Sequence, residues 1–121
     1  MVLNKIGITG ATGMLGRHIR ATLEEAGSQV VAVSREKDTI QKVAGWNLKD
    51  WQSLKDLDRI FKGVQVVVHA GAMLPNRLGV YDEGTAFNAN VRSSLNLGLW
   101  AIERQVPIVY VSGAIVYKDH E

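Results

Sequence analysis

Short apolar runs alternate with longer amphipathic ones along this chain. Residues 5–9 read as a first strand. Residues 14–26 read as a helix, with Leu15, Ile19 and Leu23 stacked at i+4 spacing and Gly27 as its C-terminal cap. Residues 29–34 are almost wholly Val and Ala, the pattern of a strand buried on both faces. A short helix is expected over residues 36–43 and a short third strand over 45–48. Asp50 suits the N-cap of a helix from Trp51 to about Phe61. Residues 65–69 form a fourth, β-branched strand, followed by a Gly-, Pro- and Asn-rich loop over 71–84. Residues 85–104 read as a long helix, and Pro107 opens a fifth strand that runs to Ser112. Strands alternating with helices imply an α/β fold with a parallel sheet and right-handed crossovers. The expected strand order is 3-2-1-4-5, Rossmann-like, with helices on both faces and a ligand at the switch between strands 1 and 4.

The run Ile8-Thr9-Gly10-Ala11-Thr12-Gly13-Met14-Leu15-Gly16 carries the most chemistry. A strand that ends in glycines and opens into a helix can turn backbone N–H groups and the positive helix end toward an anion. Gly10 permits a sharp turn. Gly13 permits backbone to approach a pyrophosphate, and Gly16 permits close packing of helix on strand. The spacing is G-x-x-G-x-x-G, not the G-x-G-x-x-G of the commonest dinucleotide fingerprint.

Bulk properties narrow the partners. With 121 residues the chain reads as one domain. A net charge of +2 and the lack of any basic run of five argue against nucleic acid and membrane surfaces. Without cysteine there are no disulfides or thiolate zinc sites, and no His, Asp or Glu spacing suggests a metal. No apolar run of about 18 residues and no signal-peptide pattern is present, so a cytoplasmic location is expected.

Four motifs, in order, extend the reading. They are Thr9-Gly10-x-x-Gly13-x-x-Gly16, His69-Ala70-Gly71-Ala72, Asn90-Val91-x-Ser93-Ser94-x-Asn96-Leu97, and Tyr110-Val111-Ser112-Gly113-x-x-Val116-Tyr117. On these the chain resembles the extended short-chain dehydrogenase/reductase superfamily, with its NAD(P)-dependent epimerases and dehydratases. The resemblance spans essentially all 121 residues. It implies that Gly10, Thr12, Gly13, Met14, Leu15 and Gly16 border the cofactor pyrophosphate. It implies that Ala70, Gly71 and Ala72 line the nicotinamide half, with Asn90 near the active-site backbone. Asn47-Leu48 stands where the family usually has Asp-Leu against adenine, and an asparagine keeps an acceptor oxygen for that edge.

The end of the second strand speaks to cofactor choice. An acidic residue there would bind the ribose 2′-hydroxyl of NAD and repel a 2′-phosphate. This chain has Ser34 and then Arg35, which removes the repulsion and adds a phosphate-matching guanidinium. NADP is therefore expected over NAD, the alternative being that Arg35 is an ordinary solvated arginine.

The family's chemistry is hydride transfer assisted by a tyrosine, a lysine four residues later and a Ser or Thr at the end of the fifth strand. The resemblance implies that the tyrosine and lysine fall beyond Glu121, in a C-terminal part of the family fold absent from these residues. Tyr117 does not replace them, because Glu121 lies four residues on and would raise a tyrosine pKa. Gly113 occupies the usual Ser/Thr position, leaving Ser112 as the candidate catalytic residue only if the strand bends. Two functions stay open. One is the N-terminal portion of an enzyme acting on a sugar-nucleotide or related hydroxy/carbonyl substrate. The other is a dinucleotide-binding module without chemistry.

The long helix has apolar residues on two sides. Val91, Leu95 and Ile102 are expected against the sheet, with Leu97 and Trp100 outward. Further chain or a homodimer through the 85–104 helix would cover the outward side. His69 reads as a packed structural histidine, His18 as solvent-facing, and Trp46 and Trp51 as packing residues. Arg77, in the loop after the fourth strand, is either a contact for a substrate anion or a solvated arginine.

Overall fold

A computed structural model describes residues 4–35, 37–46, 53–72 and 82–112. Five strands form one parallel sheet in the order β3-β2-β1-β4-β5. They are β1 (Lys5–Thr9), β2 (Gln29–Ser34), β3 (Val43–Gly45), β4 (Val66–His69) and β5 (Ile108–Tyr110). This is the expected order. β1 is central, with Thr9 paired to Val33 on one side and His69 on the other.

Strand alternation divides the core in two. Ile6, Ile8 and Ala32 turn to one face, where Ile19 and Leu23 of α1 (Met14–Glu25) cover them. Val33 and Val67 turn to the other, against Leu57, Phe61, Leu97 and Trp100. Gly7 leaves room for that second layer, since a β-carbon there would meet the Phe61 ring at 2.7 Å. The α1 C-terminus closes in a Schellman motif. Gly27 takes φ 96°, Ser28 N–H donates to Leu23 O, and Gly27 N–H donates to Glu24 O.

Several sequence expectations need correction. The segment after β2 is no helix. Asp38 and Val43 exchange both backbone hydrogen bonds as an antiparallel bridge. The Asp38 carboxylate also accepts from the N–H groups of Ile40 and Gln41, and Lys42 turns the chain at φ 55°. That side-chain turn competes with helix formation. β3 consequently starts at Val43, two residues early. The next helix, α2 (Leu54–Ile60), starts from Ser53 rather than Asp50. Ser53 and Asp56 form a reciprocal capping box. Asp50 and Trp51 lie outside the described residues.

The long helix begins earlier than expected, at Glu83, because the Asp82 carboxylate accepts from Thr85 N–H. It runs as α3 (Glu83–Phe87), one π turn (Asn88–Arg92) and α4 (Ser93–Arg104). In the π turn Ser93 N–H reaches back five residues to Asn88 O. Its two faces are the reverse of those expected. Leu97 and Trp100 are buried against the sheet, whereas Val91, Leu95 and Ile102 are exposed, Ile102 to 78%. Trp100 needed a partner for its indole N–H and finds one inward, in Asp58 of α2 at 2.9 Å. Leu15 is also half exposed, so only Ile19 and Leu23 of its triplet pack. Among the described residues no helix is long and apolar enough to cross a membrane.

Candidate functional site

The glycine loop sits at the C-terminal end of the central strand. Gly10 takes φ 65° and its carbonyl accepts from Gly13 N–H at 3.1 Å. Gly16 lies so close that a β-carbon on it would stand 2.0 Å from Gly10 O. A β-carbon on Gly10 would stand 2.7 Å from both the nitrogen and Cα of Gly71. The loop is therefore a backbone-only surface, pinched between α1 and the residues that follow β4. Gly13 is the N-cap of α1, and no side chain caps that helix end. Met14 and Leu15 follow, exposed to 76% and 48%. Their amides belong to a helix N-terminus with no acidic residue in its first turn. Such an end favours an anion.

On the β2 side, Thr12 and Ser34 join their hydroxyls at 2.7 Å. This bond ties the loop to the strand end where a ribose would be read. Arg35 follows, exposed, with no ion pair among the described residues. An open cleft of about 420 Å³ adjoins Thr12 and is lined by Arg17, Arg20 and Gln41 among others. Arg20 is held by Glu24 of its own helix. Glu24 lines the cleft as well, so its charged lining is Arg17 and the Arg20–Glu24 pair.

On the β4 side, His69 is buried to 2% exposure. Its Nδ1 lies 2.6 Å from Thr9 Oγ1, and its Nε2 lies 3.0 Å from Ser94 Oγ. Thr9 Oγ1 accepts from Gly71 N–H at 3.0 Å, and Ser94 donates to the carbonyl of Asn90 at 2.7 Å. Burial pushes the imidazole pKa down to about 4, so it is neutral at pH 7. The structural role expected of His69 is thus supported by two partners. The Tyr110 ring stands beside it, 5.8 Å between centroids.

The structure brings Gly10, Thr12, Gly13, Met14, Leu15, Gly16, Ser34, Arg35 and Gly71 to one end of the sheet, with Ala70 and Ala72 flanking Gly71. Asn90 joins them through its place in the π turn and its link to Ser94. Ser112 lies just past β5 and is exposed. Asn47, Leu48, Arg77, Gly113, Tyr117 and Glu121 lie outside the described residues. Two residues with a part in the site carried no assigned role in the sequence, Thr9 and Ser94. A threonine one position before the first loop glycine, with a histidine ending β4, was the available signal.

The residues fit a dinucleotide by the criterion of space. The loop presents backbone where side chains would block a pyrophosphate, and two of its glycines, Gly10 and Gly16, leave no room for a β-carbon. Comparison with known proteins agrees with this geometry. The NAD dependent epimerase/dehydratase family matches residues 6–121. An uncharacterized protein of Schizosaccharomyces pombe is 30% identical over 120 residues, covering 96% of this chain and 39% of that one. Among solved structures, a UDP-galactose 4-epimerase is 27% identical with a TM-score of 0.74, covering 93% of this chain and 39% of its own. A short-chain dehydrogenase/reductase superfamily protein from Agrobacterium tumefaciens, with bound NAD, is 25% identical with a TM-score of 0.75. It is matched over 94% of this chain and 34% of its own. The chain thus spans well under half the length of these relatives. Its glycine loop, strand order and matched family together show that it belongs to the NAD dependent epimerase/dehydratase family.

Proposed function

We propose that this chain forms the dinucleotide-binding portion of an NAD(P)-dependent oxidoreductase of the epimerase/dehydratase type. Its substrate would be a sugar-nucleotide or a related hydroxy/carbonyl compound. The observation that carries this reading is the pinched glycine loop, in which Gly10 and Gly16 have no room for a side chain and Gly10 packs on the backbone of Gly71. A bound nicotinamide dinucleotide supplies hydride transfer to and from carbon. The chain's own residues do the holding. Amides at the α1 N-terminus face the pyrophosphate. The Thr12–Ser34 pair fixes the ribose end, and Ala70, Gly71 and Ala72 form the nicotinamide side. The UDP-galactose 4-epimerase likeness supports the substrate class.

Within this reading the cofactor is NADP rather than NAD. Support comes from Arg35 after Ser34, exposed and without an ion pair among the described residues, where an acidic residue would favour NAD. The solved neighbour from Agrobacterium tumefaciens holds NAD, so the choice here turns on this chain's own strand end. Titrating the protein with NADPH and with NADH, followed by nicotinamide fluorescence, tests both levels. Saturable binding of either supports the cradle, and tighter NADPH binding supports the cofactor choice. Binding of neither would overturn the dinucleotide reading.

A second reading, a dinucleotide-binding module without chemistry, is favoured by Gly113, which stands at the usual Ser/Thr position. Under either reading we assign the exposed stripe Phe87, Val91, Leu95, Leu99 and Ile102 to a homodimer interface, with the enzyme or module in the cytoplasm. The stripe repeats at helical spacing and carries no charge, so it is complementary to itself across a two-fold axis. Gly98, beside it, has nothing among the described residues within 4 Å of where a β-carbon would stand, which leaves space for a second helix to approach.

A further inference from the structure

We propose that His69 is a positioning residue, a neutral imidazole held in the Nε2–H tautomer, which ties the Gly71 backbone and the π turn of the long helix to one fixed geometry at the floor of the cradle. The inference rests on the dinucleotide reading for its effect on binding. The tautomer follows from the polar atoms around an imidazole that burial keeps neutral.

The proton count has one consistent solution. The Ser94 hydroxyl donates to Asn90 O, so its oxygen is left to accept, and the donor facing it is His69 Nε2–H. The imidazole is neutral, so Nδ1 carries no proton and accepts. Its partner is the Thr9 hydroxyl. Having given its proton to Nδ1, Thr9 Oγ1 keeps a lone pair for Gly71 N–H. The chain of bonds therefore runs in one direction through the imidazole, in from Gly71 through Thr9 to Nδ1, and out from Nε2 through Ser94 to Asn90 O. Every donor and acceptor named in the chain is used once. With His69 in the other tautomer, Nδ1–H would take the Thr9 lone pair and leave the Thr9 proton without a partner. Nε2 would meanwhile face a Ser94 hydroxyl already committed to Asn90.

The location gives this chain its consequence. Gly71 is the residue whose backbone meets Gly10 across the loop, at the distance where Gly10 admits no β-carbon. Fixing the Gly71 amide fixes one wall of the cradle. Ser94 lies one turn past Asn90, in the stretch where the helix takes its five-residue hydrogen bond. A π turn costs regular helix geometry and concentrates at functional sites. Here its carbonyl at Asn90 is satisfied through the same imidazole that fixes Gly71. The two sides of the nicotinamide half are thus joined through a buried imidazole.

The test uses the full chain. Two-dimensional ¹⁵N spectra of the histidine rings at pH 7 read the tautomer directly. The expected result is a protonated Nε2 and an unprotonated Nδ1 for one histidine, lost in His69→Gln. A protonated Nδ1 at pH 7 would overturn the proposal. Thr9→Val keeps the shape and removes both bonds, while Thr9→Ser keeps both. NADPH or NADH affinity is expected to fall roughly tenfold in Thr9→Val, because the half-buried Gly71 amide loses its acceptor at the cradle wall, and to return in Thr9→Ser. A lowered unfolding midpoint with affinity unchanged in the folded Thr9→Val protein would reduce His69 to a core residue and overturn the positioning role. If the wild-type protein binds neither dinucleotide, the dinucleotide reading fails, and the tautomer assignment is still decided by the spectra.

Discussion

A β-carbon on Gly16 would stand 2.0 Å from the carbonyl oxygen of Gly10. The first helix can therefore lie on the first strand only with hydrogen at this position. The contact is backbone to backbone, so no rotamer change relieves it. Gly16→Ala is expected to destabilise the protein by about 3 kcal/mol, the upper end of what overpacking costs, as read by urea unfolding. It should also lose dinucleotide binding, because the displaced helix carries the amides of the cradle away. Gly13→Ala is the control. Its β-carbon would meet Gly10 O at 3.4 Å, an ordinary contact, and its φ of −72° suits any residue. An unfolding midpoint equal for the two variants would refute the asymmetry.

Stability should rise with pH across the range below neutrality. The pKa of His69 is near 4 in the fold and 6.5 in the unfolded chain, so the unfolded chain binds the extra proton in between. The contribution is complete above about pH 6.5 and is lost as pH falls toward 4, amounting to about 3 kcal/mol at most. His69→Asn should flatten this slope when unfolding midpoints are compared between pH 7.5 and 4.5. Asp58 acts lower. Arg104 grips its carboxylate through Nε and Nη2 at 2.8 and 2.7 Å, with the Trp100 indole donating as well, and these hold its pKa at about 2. Its stabilisation is present above the unfolded value of 3.8 and lost as pH falls through 2. Asp58→Asn should change the profile only in that acid window.

The parts of this fold legible in the sequence are those fixed by strong local patterns. Continuous β-branched runs placed β1, β2 and β4, and the glycine spacing placed the cradle. The parts that were not legible depend on a competing local bond or a distant partner. Asp38 looks like a helix residue by composition, yet its carboxylate takes the Ile40 and Gln41 amides and makes a turn. The two sides of the long helix are equally apolar in sequence. What decides between them is Asp58, forty-two residues before Trp100, offering the indole an acceptor on the sheet side. Likewise His69 could be read as buried, but its two partners sit 60 and 25 residues away in sequence.

Arg35 should govern cofactor choice. If its guanidinium meets a 2′-phosphate, Arg35→Ala removes a charge-assisted contact of roughly 2 kcal/mol, which weakens NADPH about thirtyfold. NADH lacks that phosphate and should bind the variant as well as it binds the wild type. Ser34→Asp should act in the same direction by adding repulsion, and it also breaks the hydroxyl pair with Thr12. The measurement is the ratio of the two dissociation constants at fixed ionic strength. An equal loss for both cofactors would mean that Arg35 contributes only general charge.

The exposed stripe on the long helix predicts self-association. Leu95 stands in its middle, 56% exposed, flanked one turn away on each side by Val91 and Leu99. A single helix face in water has no reason to present five apolar side chains in register unless something covers them. Two copies packed about a two-fold axis would set each stripe against its own image. Leu95→Glu places two like charges near that axis and should convert a dimer to a monomer by sedimentation. The cost to the fold should be small, because Leu95 contributes nothing to either core cluster. Trp100, buried on the opposite side with Asp58, serves as the internal standard: its fluorescence should not change in the variant. A wild-type protein that sediments as a monomer at every concentration tested would instead assign the stripe to the additional length present in the relatives.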